Sequence, residues 1–208
     1  MTGKTIALIA LVMMVSIPGW SQISRVFATK SDIRQYYHDT TVRAAPIPRR
    51  VLSAFAAAED PDFYDKIAGT SRITSQVSRW FLPARSSAFK RFVMAQLLGL
   101  SLSHQEILTL YVQKIFLGQS CFGAPDAAIA YFGKSLDDLA IADLAYLAAL
   151  PNAPVRFHPV RYADKALKRR NFVLMQIQEA GAISTQQLAV ALTAELGVRL
   201  PLQLCAGR

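Results

Sequence analysis

Two adjacent acids, Glu59 and Asp60, close the apolar run VLSAFAAA, and ten residues later the chain reads Gly69-Thr70-Ser71-Arg72-Ile73-Thr74-Ser75-Gln76. A carboxylate set against Ala, Leu and Phe surface has its charged form disfavoured. Its pKa rises toward the range a general base needs. The plain alternative for such a pair is a solvated acid at a helix end. A two-carboxylate site also needs a second acid, and the stretch from Lys66 to Gln105 contains no Asp or Glu. Lys66, Arg72, Arg79, Arg85, Lys90 and Arg91 lie there instead.

The elements that must position these groups read as helices from residue 50 onward, so the fold class is all-α. Ser103 to Glu106 is a capping-box pattern opening EILTLYVQKIFLG, where Ile107, Leu110, Tyr111 and Lys114 fall at helical spacing. Ser135 to Asp138 opens a second helix closed by Pro151, Asp164 opens a third closed by Gly181, and Ser184 to Gln187 opens the last. No alternating strand pattern of useful length is present. The division is a leader at 1–22, a polar connector at 23–49 ending in Pro46-Ile47-Pro48, a domain at 50–197 and a tail at 198–208. Tyr111, Phe116, Phe122, Tyr131 and Phe132 read as core rather than as sugar platforms.

The chain has 208 residues, is 52% hydrophobic and only 18% charged, and so can bury one ordinary core. Its net charge of +9 favours an anionic partner: a phospholipid surface, a phosphate-bearing substrate or nucleic acid. No stacking-plus-basic module argues for the last. Cys121 and Cys205, with three scattered histidines, form no metal-site spacing; a Cys121–Cys205 disulfide and two buried thiols both remain open. After Lys4 the run TIALIALVMMVSIPGW has sixteen uncharged residues, short for a membrane-spanning helix and long for a signal segment. An uncleaved anchor, a cleaved signal and a buried helix are the three readings. Arg25, Lys30 and Arg34 outnumber Lys4, which by the positive-inside rule keeps the body cytoplasmic.

EDPDFYDK, GTSRITSQ, EILTLYVQKIFLG, AAIAYFGKSLDDL, LAALPNAPVRFHP and RRNFVLMQI occur in this order. Together they resemble the glycosyltransferase family 51 domain, the peptidoglycan glycosyltransferase of penicillin-binding proteins and monofunctional transglycosylases. The resemblance covers roughly residues 50–195. It implies a lysozyme-like helical fold with an N-terminal membrane helix, single-pass in the bacterial inner membrane with the domain on the periplasmic side. It further implies lipid II and nascent glycan as substrates, inner-membrane phospholipid and wall-synthesis proteins as partners, and a divalent cation, Mg²⁺ or Mn²⁺. The resemblance makes Glu59 the base that deprotonates the acceptor sugar hydroxyl, with Asp60 and Phe63 as motif companions. The expected substrate contacts are Asp60, Phe63, Ser71, Arg72, Thr74, Gln76, Lys90, Arg91 and Lys114. No transpeptidase half is expected within this chain.

The departures are specific. Lys66 and Ala68 stand where the family motif has His and Gly. Some two dozen residues between that motif and GTSRITSQ are missing, and Arg72 and Ser75 replace Thr and Gln. Counting back from Ser103 puts the family's second Glu at Arg91. Three outcomes follow: a member that keeps the fold but has lost turnover, and acts as a lipid II-binding scaffold; an enzyme in which Arg91, with Lys90 and Arg72, pairs directly with the leaving pyrophosphate; or a single-Glu lytic enzyme. Lys165, Lys168, Arg169 and Arg170 read as structural or surface residues, and Glu106 as a helix cap.

Overall fold

A computed structural model describes residues 27–205; the leader at 1–22 and the last three residues of the tail lie outside the described residues. Among the described residues there are nine α-helices and no strand, only an isolated bridge between Phe116 and Phe122. No helix among them is long and apolar enough to cross a membrane.

Three helices build the centre. We number the helices α1 to α9 along the chain, and α7 (Ile141–Ala149) is buried on every side from Ala142 to Ala149. A helix apolar all round belongs in the middle of a bundle. Against α7 pack α8 (Ala163–Glu179) and α2 (Arg49–Glu59), and α2 buries Val51, Leu52, Phe55 and its whole last turn. Truncating Phe55, which is fully buried, to Ala leaves a cavity worth about 3–5 kcal/mol. The buried end of α2 is what carries Glu59 inward.

Around this centre run α3 (Arg72–Ser78), α4 (Ala88–Ser101), α5 (His104–Lys114), α6 (Ala124–Phe132) and α9 (Thr185–Thr193). The capping boxes read at Ser103 and Ser184 are both formed. Gly181 ends α8 at φ +71°, with its N–H on Gln178 O and the Ala182 N–H on Ile177 O. The helix expected from Ser135 starts later, at Ile141. Residues 135–139 form a turn instead, because Arg50 on α2 takes the carbonyls of Leu136, Asp137 and Leu139 at 2.6–2.8 Å.

The 23–49 stretch contains a helix of its own, α1 (Lys30–Thr41), opened by a Thr29/Asp32 capping box. Its Ile33 is fully buried, and Arg34 pairs with Glu106 at 2.8 Å. Just after the acidic motif, the single turn Ala68–Thr70 packs straight onto α4. Two glycines allow this approach: a Cβ on Gly99 would lie 2.5 Å from the Gly69 backbone nitrogen, and one on Gly69 would lie 2.9 Å from Gln96 Cα. Gln96 closes the contact by donating to Gly69 O at 2.9 Å.

Cys121 and Cys205 are joined by a disulfide, which ties the chain end to the loop before α6. Phe116 and Phe122, expected in the core, pair at 5.1 Å on the surface and are 40% and 62% exposed. They sit on the isolated bridge, whose short hairpin turns both rings outward. Tyr111, Tyr131 and Phe132 are buried as expected.

Candidate active site

Glu59 is the last residue of α2 and only 2% exposed. Its Oε1 accepts from Asn152 Nδ2 at 3.0 Å and its Oε2 from Gln76 Nε2 at 3.3 Å. Burial raises its pKa above the ordinary carboxylate range; the Gln76 hydrogen bond and the charges of Arg72 and Arg169 oppose that, and Asp60 adds to it. A place at the negative end of a helix disfavours the anion further. The result is a desolvated side chain whose two carboxyl oxygens both accept from neutral amides.

Asp60 does different work. It is 1% exposed; its Oδ2 accepts the Arg72 backbone N–H at 2.7 Å, and its Oδ1 is paired with Lys66. The carboxylate thus ties down the first turn of α3, where an anion is favoured by the helix end. Hydrogen bonding to Asp60 holds the Lys66 ammonium above its usual pKa. Ser71 caps the same helix, accepting the Thr74 N–H at 2.9 Å while the two hydroxyls lie 2.8 Å apart. Anchored in this way, α3 presents Arg72, Ser75, Gln76 and the following Arg79 to one side.

That side is an open cavity of about 370 Å³ lined by Glu59, Arg72, Ser75, Gln76, Pro151 and Asn152, with Arg79 completing it. Arg79 also lines a second cavity of about 310 Å³, whose other polar walls are Ser86 and Arg91. The Arg91 guanidinium donates to the Ser86 carbonyl, which fixes it to the loop before α4. Arg169 on α8 adds charge from below, interacting with Glu59 and Arg72 while lying 5.1 Å over the Phe172 ring. Among the described residues no group of three or more acids, histidines or cysteines could hold a metal ion. Both oxygens of Asp60 are engaged and Glu59 is the one acid lining the cavities, so the side chains present do not fit a divalent cation.

The sequence of the described domain matches the transglycosylase family profile over residues 65–178. The chain belongs to the transglycosylase family. It is 37% identical over 177 residues to a Cupriavidus necator protein provisionally named a transglycosylase, covering 74% of this chain and 77% of that one. It is 35% identical over 176 residues to penicillin-binding protein 1A of Haemophilus influenzae, covering 73% of this chain but 21% of the relative. The crystal structure of that penicillin-binding protein superimposes with a TM-score of 0.52 at 30% identity, over 76% of this chain and 18% of that one. This transglycosylase chain therefore spans about a fifth of the penicillin-binding protein 1A length. Glu59 and Asp60 lie just ahead of the profile match.

Of the residues singled out in the sequence, Glu59, Arg72 and Gln76 meet in the first cavity, and Arg91 lines the second. Asp60, Phe63, Ser71 and Thr74 are fully buried and hold the transglycosylase scaffold rather than face the opening. Phe63 packs edge-on against Tyr64 and His104. Lys90 is exposed on the first turn of α4. Lys114 lies elsewhere, over the Tyr36 ring at 5.3 Å, and Lys134 pairs with Asp143 at 3.2 Å. Arg170 is wholly buried and donates to the Leu192, Ala194 and Glu195 carbonyls, tying down the end of α9. Asn152 and Arg169 were missed as site residues. Asn152 stood in LPNAP and Arg169 in RRNFVL, two of the six motifs, but neither motif says which side chain faces Glu59.

Proposed function

We propose that this chain polymerises glycan strands from a lipid-linked disaccharide diphosphate, lipid II, with Glu59 as the general base. The observation that carries the reading is the amide-held, buried carboxylate of Glu59 at the wall of a cavity otherwise rich in arginine. The acceptor hydroxyl gives its proton to Glu59 as its oxygen bonds to the donor's anomeric carbon. The bond from that carbon to the diphosphate breaks, and the electron pair leaves with the phosphate oxygen. Arg91, with Arg79 lining the same cavity and Arg72 the neighbouring one, takes the place of a second carboxylate and its metal by pairing with the leaving diphosphate. Family membership and the likeness to penicillin-binding protein 1A support this reading. The Cys121–Cys205 disulfide supports a domain outside the cytosol, on the periplasmic face of the inner membrane, where such bonds persist.

The test is glycan formation from labelled lipid II by the full-length protein in detergent or liposomes, beside E59Q. Polymer from the parent and none from E59Q is the expected result; polymer from both removes Glu59 from the chemistry. Glu59 as the one acid in the cavities favours a second reading, a lipid II-binding protein without turnover. No polymer, with saturable lipid II binding, selects it.

A further inference from the structure

A third cavity, of about 330 Å³, shares no lining residue with the two around Arg79. It lies between the C-terminal end of α1, the end of α5 and the start of α6, with Asp39, Thr40, Arg43, Gln113 and Asp126 as its polar walls. Phe122 also lines it and is 62% exposed, with the 40% exposed Phe116 ring 5.1 Å away. Adjacent open rings form a patch, not a scattered surface residue. The hairpin that carries them is held still. Leu117 N–H donates to Cys121 O at 3.0 Å and Gly123 N–H to Ile115 O at 2.8 Å, while the disulfide to Cys205 fastens the residue next to Phe122. Gly123 has φ +93°, and a Cβ there would lie 2.3 Å from Gln113 O, so the hairpin rests directly on the end of α5. Rings displayed on a fixed backbone lose little freedom when something covers them.

The polar groups beside the rings suit hydroxyls and amides. Gln113 is oriented by donating to Ala45 O at 3.1 Å, which leaves its carbonyl oxygen to accept. Asp39 receives the Gln35 amide at 2.8 Å on Oδ1, with His38 3.5 Å from the same oxygen, so among the described residues Oδ2 is left for an incoming hydroxyl. Arg43 is exposed and brings forked donors. Carboxylates accept sugar O–H groups, a guanidinium donates to an acetamido carbonyl, and the C–H face of a pyranose lies flat on an aromatic ring. Two carboxylates in the walls disfavour an anionic lipid headgroup, and a cavity this small suits one or two sugar rings rather than a helix. We propose that this cavity and the Phe116–Phe122 pair bind an N-acetylated sugar unit of a glycan strand, apart from the cleft at Glu59. The site goes beyond the proposed function, since it requires glycan at the protein but no turnover by Glu59.

The test is fluorine-19 NMR of the full chain in detergent with its 11 phenylalanines fluorinated, F116L and F122L assigning the two hairpin signals. The probe is chitotetraose, a tetramer of N-acetylglucosamine, titrated into the millimolar range. The expected result is that both signals move along one saturable curve, and that E59Q responds as the parent does. Read on the Phe116 signal, F122A weakens binding about tenfold. D39N/R43Q, which leaves the rings in place, weakens it several-fold. Hairpin signals that stay still, or that move equally in parent and D39N/R43Q, overturn the proposal. A response lost in E59Q places the sugar in the first cavity and overturns it too. Movement with detergent concentration or with an unglycosylated peptide, and none with sugar, assigns the rings to lipid or to a protein partner and rejects the glycan. Failure to polymerise lipid II overturns the catalytic reading alone, because none of these shifts depends on turnover.

Discussion

The two cavities that share Arg79 are built on opposite terms. On the Glu59 side the acids and the helix cap are held: amides on both Glu59 oxygens, Asp60 locked between Lys66 and the start of α3, and Ser71 against Thr74. On the Arg91 side the walls are a loop, Leu82 to Ser86, and two guanidiniums, one of them tethered only to the Ser86 carbonyl. Fixed geometry suits proton transfer, which needs a base within hydrogen-bond reach of one hydroxyl. A diphosphate carries several equivalent oxygens, so a pair of forked, permanently charged donors can hold it in more than one pose. Under the proposed function, the rigid half supplies the base and the arginine half holds the leaving diphosphate.

The largest way to break the contrast is E59Q. Removing a general base costs about 10²–10⁴-fold in rate. The same variant should fold at least as well. A carboxyl whose folded pKa is raised gives stability below its unfolded pKa and loses it as pH rises through the folded value. E59Q therefore melts above the parent at neutral pH, with the gap closing toward acid, as a calorimetric pH series would read. A Tm below the parent at neutral pH would show that Glu59 is held as a structural anion.

Arg91→Ala comes next, with a rate loss smaller than that of E59Q and concentrated in diphosphate departure. Its companion, R91E, restores an acid at the arginine cavity, and turnover regained by R91E only with added Mg²⁺ would sharpen the comparison further. Asn152→Leu strips the better of the two donors from Glu59 and leaves a buried carboxylate short of a partner. Both the rate and the acid limb of the pH–rate profile respond. The expected acid limb of the parent lies above the ordinary carboxylate range, because burial raises Glu59, and in N152L the fall should begin at higher pH still. The smallest effect belongs to Lys114→Ala, over Tyr36 and away from both cavities. It should leave lipid II turnover unchanged and move stability by about 0.5 kcal/mol or less.

Local signals carried the fold where the deciding partner was close in sequence. Ser103 with Glu106, Ser184 with Gln187, and Gly181 after α8 each state a helix end within four residues. Ser135 with Asp138 carries the same signal and fails. Arg50, more than eighty residues away, claims the carbonyls that a helix there would need. The helix at Lys30–Thr41 had a capping box at Thr29, but with Ile33 as its one buried residue it reads as a polar connector. The site divides in the same way. Glu59, Arg72 and Gln76 belong to one short motif region, whereas Asn152 and Arg169 arrive from two later elements. Only the packing of α8, and of α7 with the turn Leu150–Asn152 that follows it, against α2 tells which side chains turn inward. Tyr111 reads as core in the sequence and is core.

The account stands most directly on the rate of lipid II polymerisation by the full-length parent in excess chelator against the same reaction with Mg²⁺ or Mn²⁺. If arginines hold the departing diphosphate, the two rates agree and both vanish in E59Q. Polymerisation that requires the cation would contradict it, and would place the second half of the chemistry on groups other than Arg79 and Arg91.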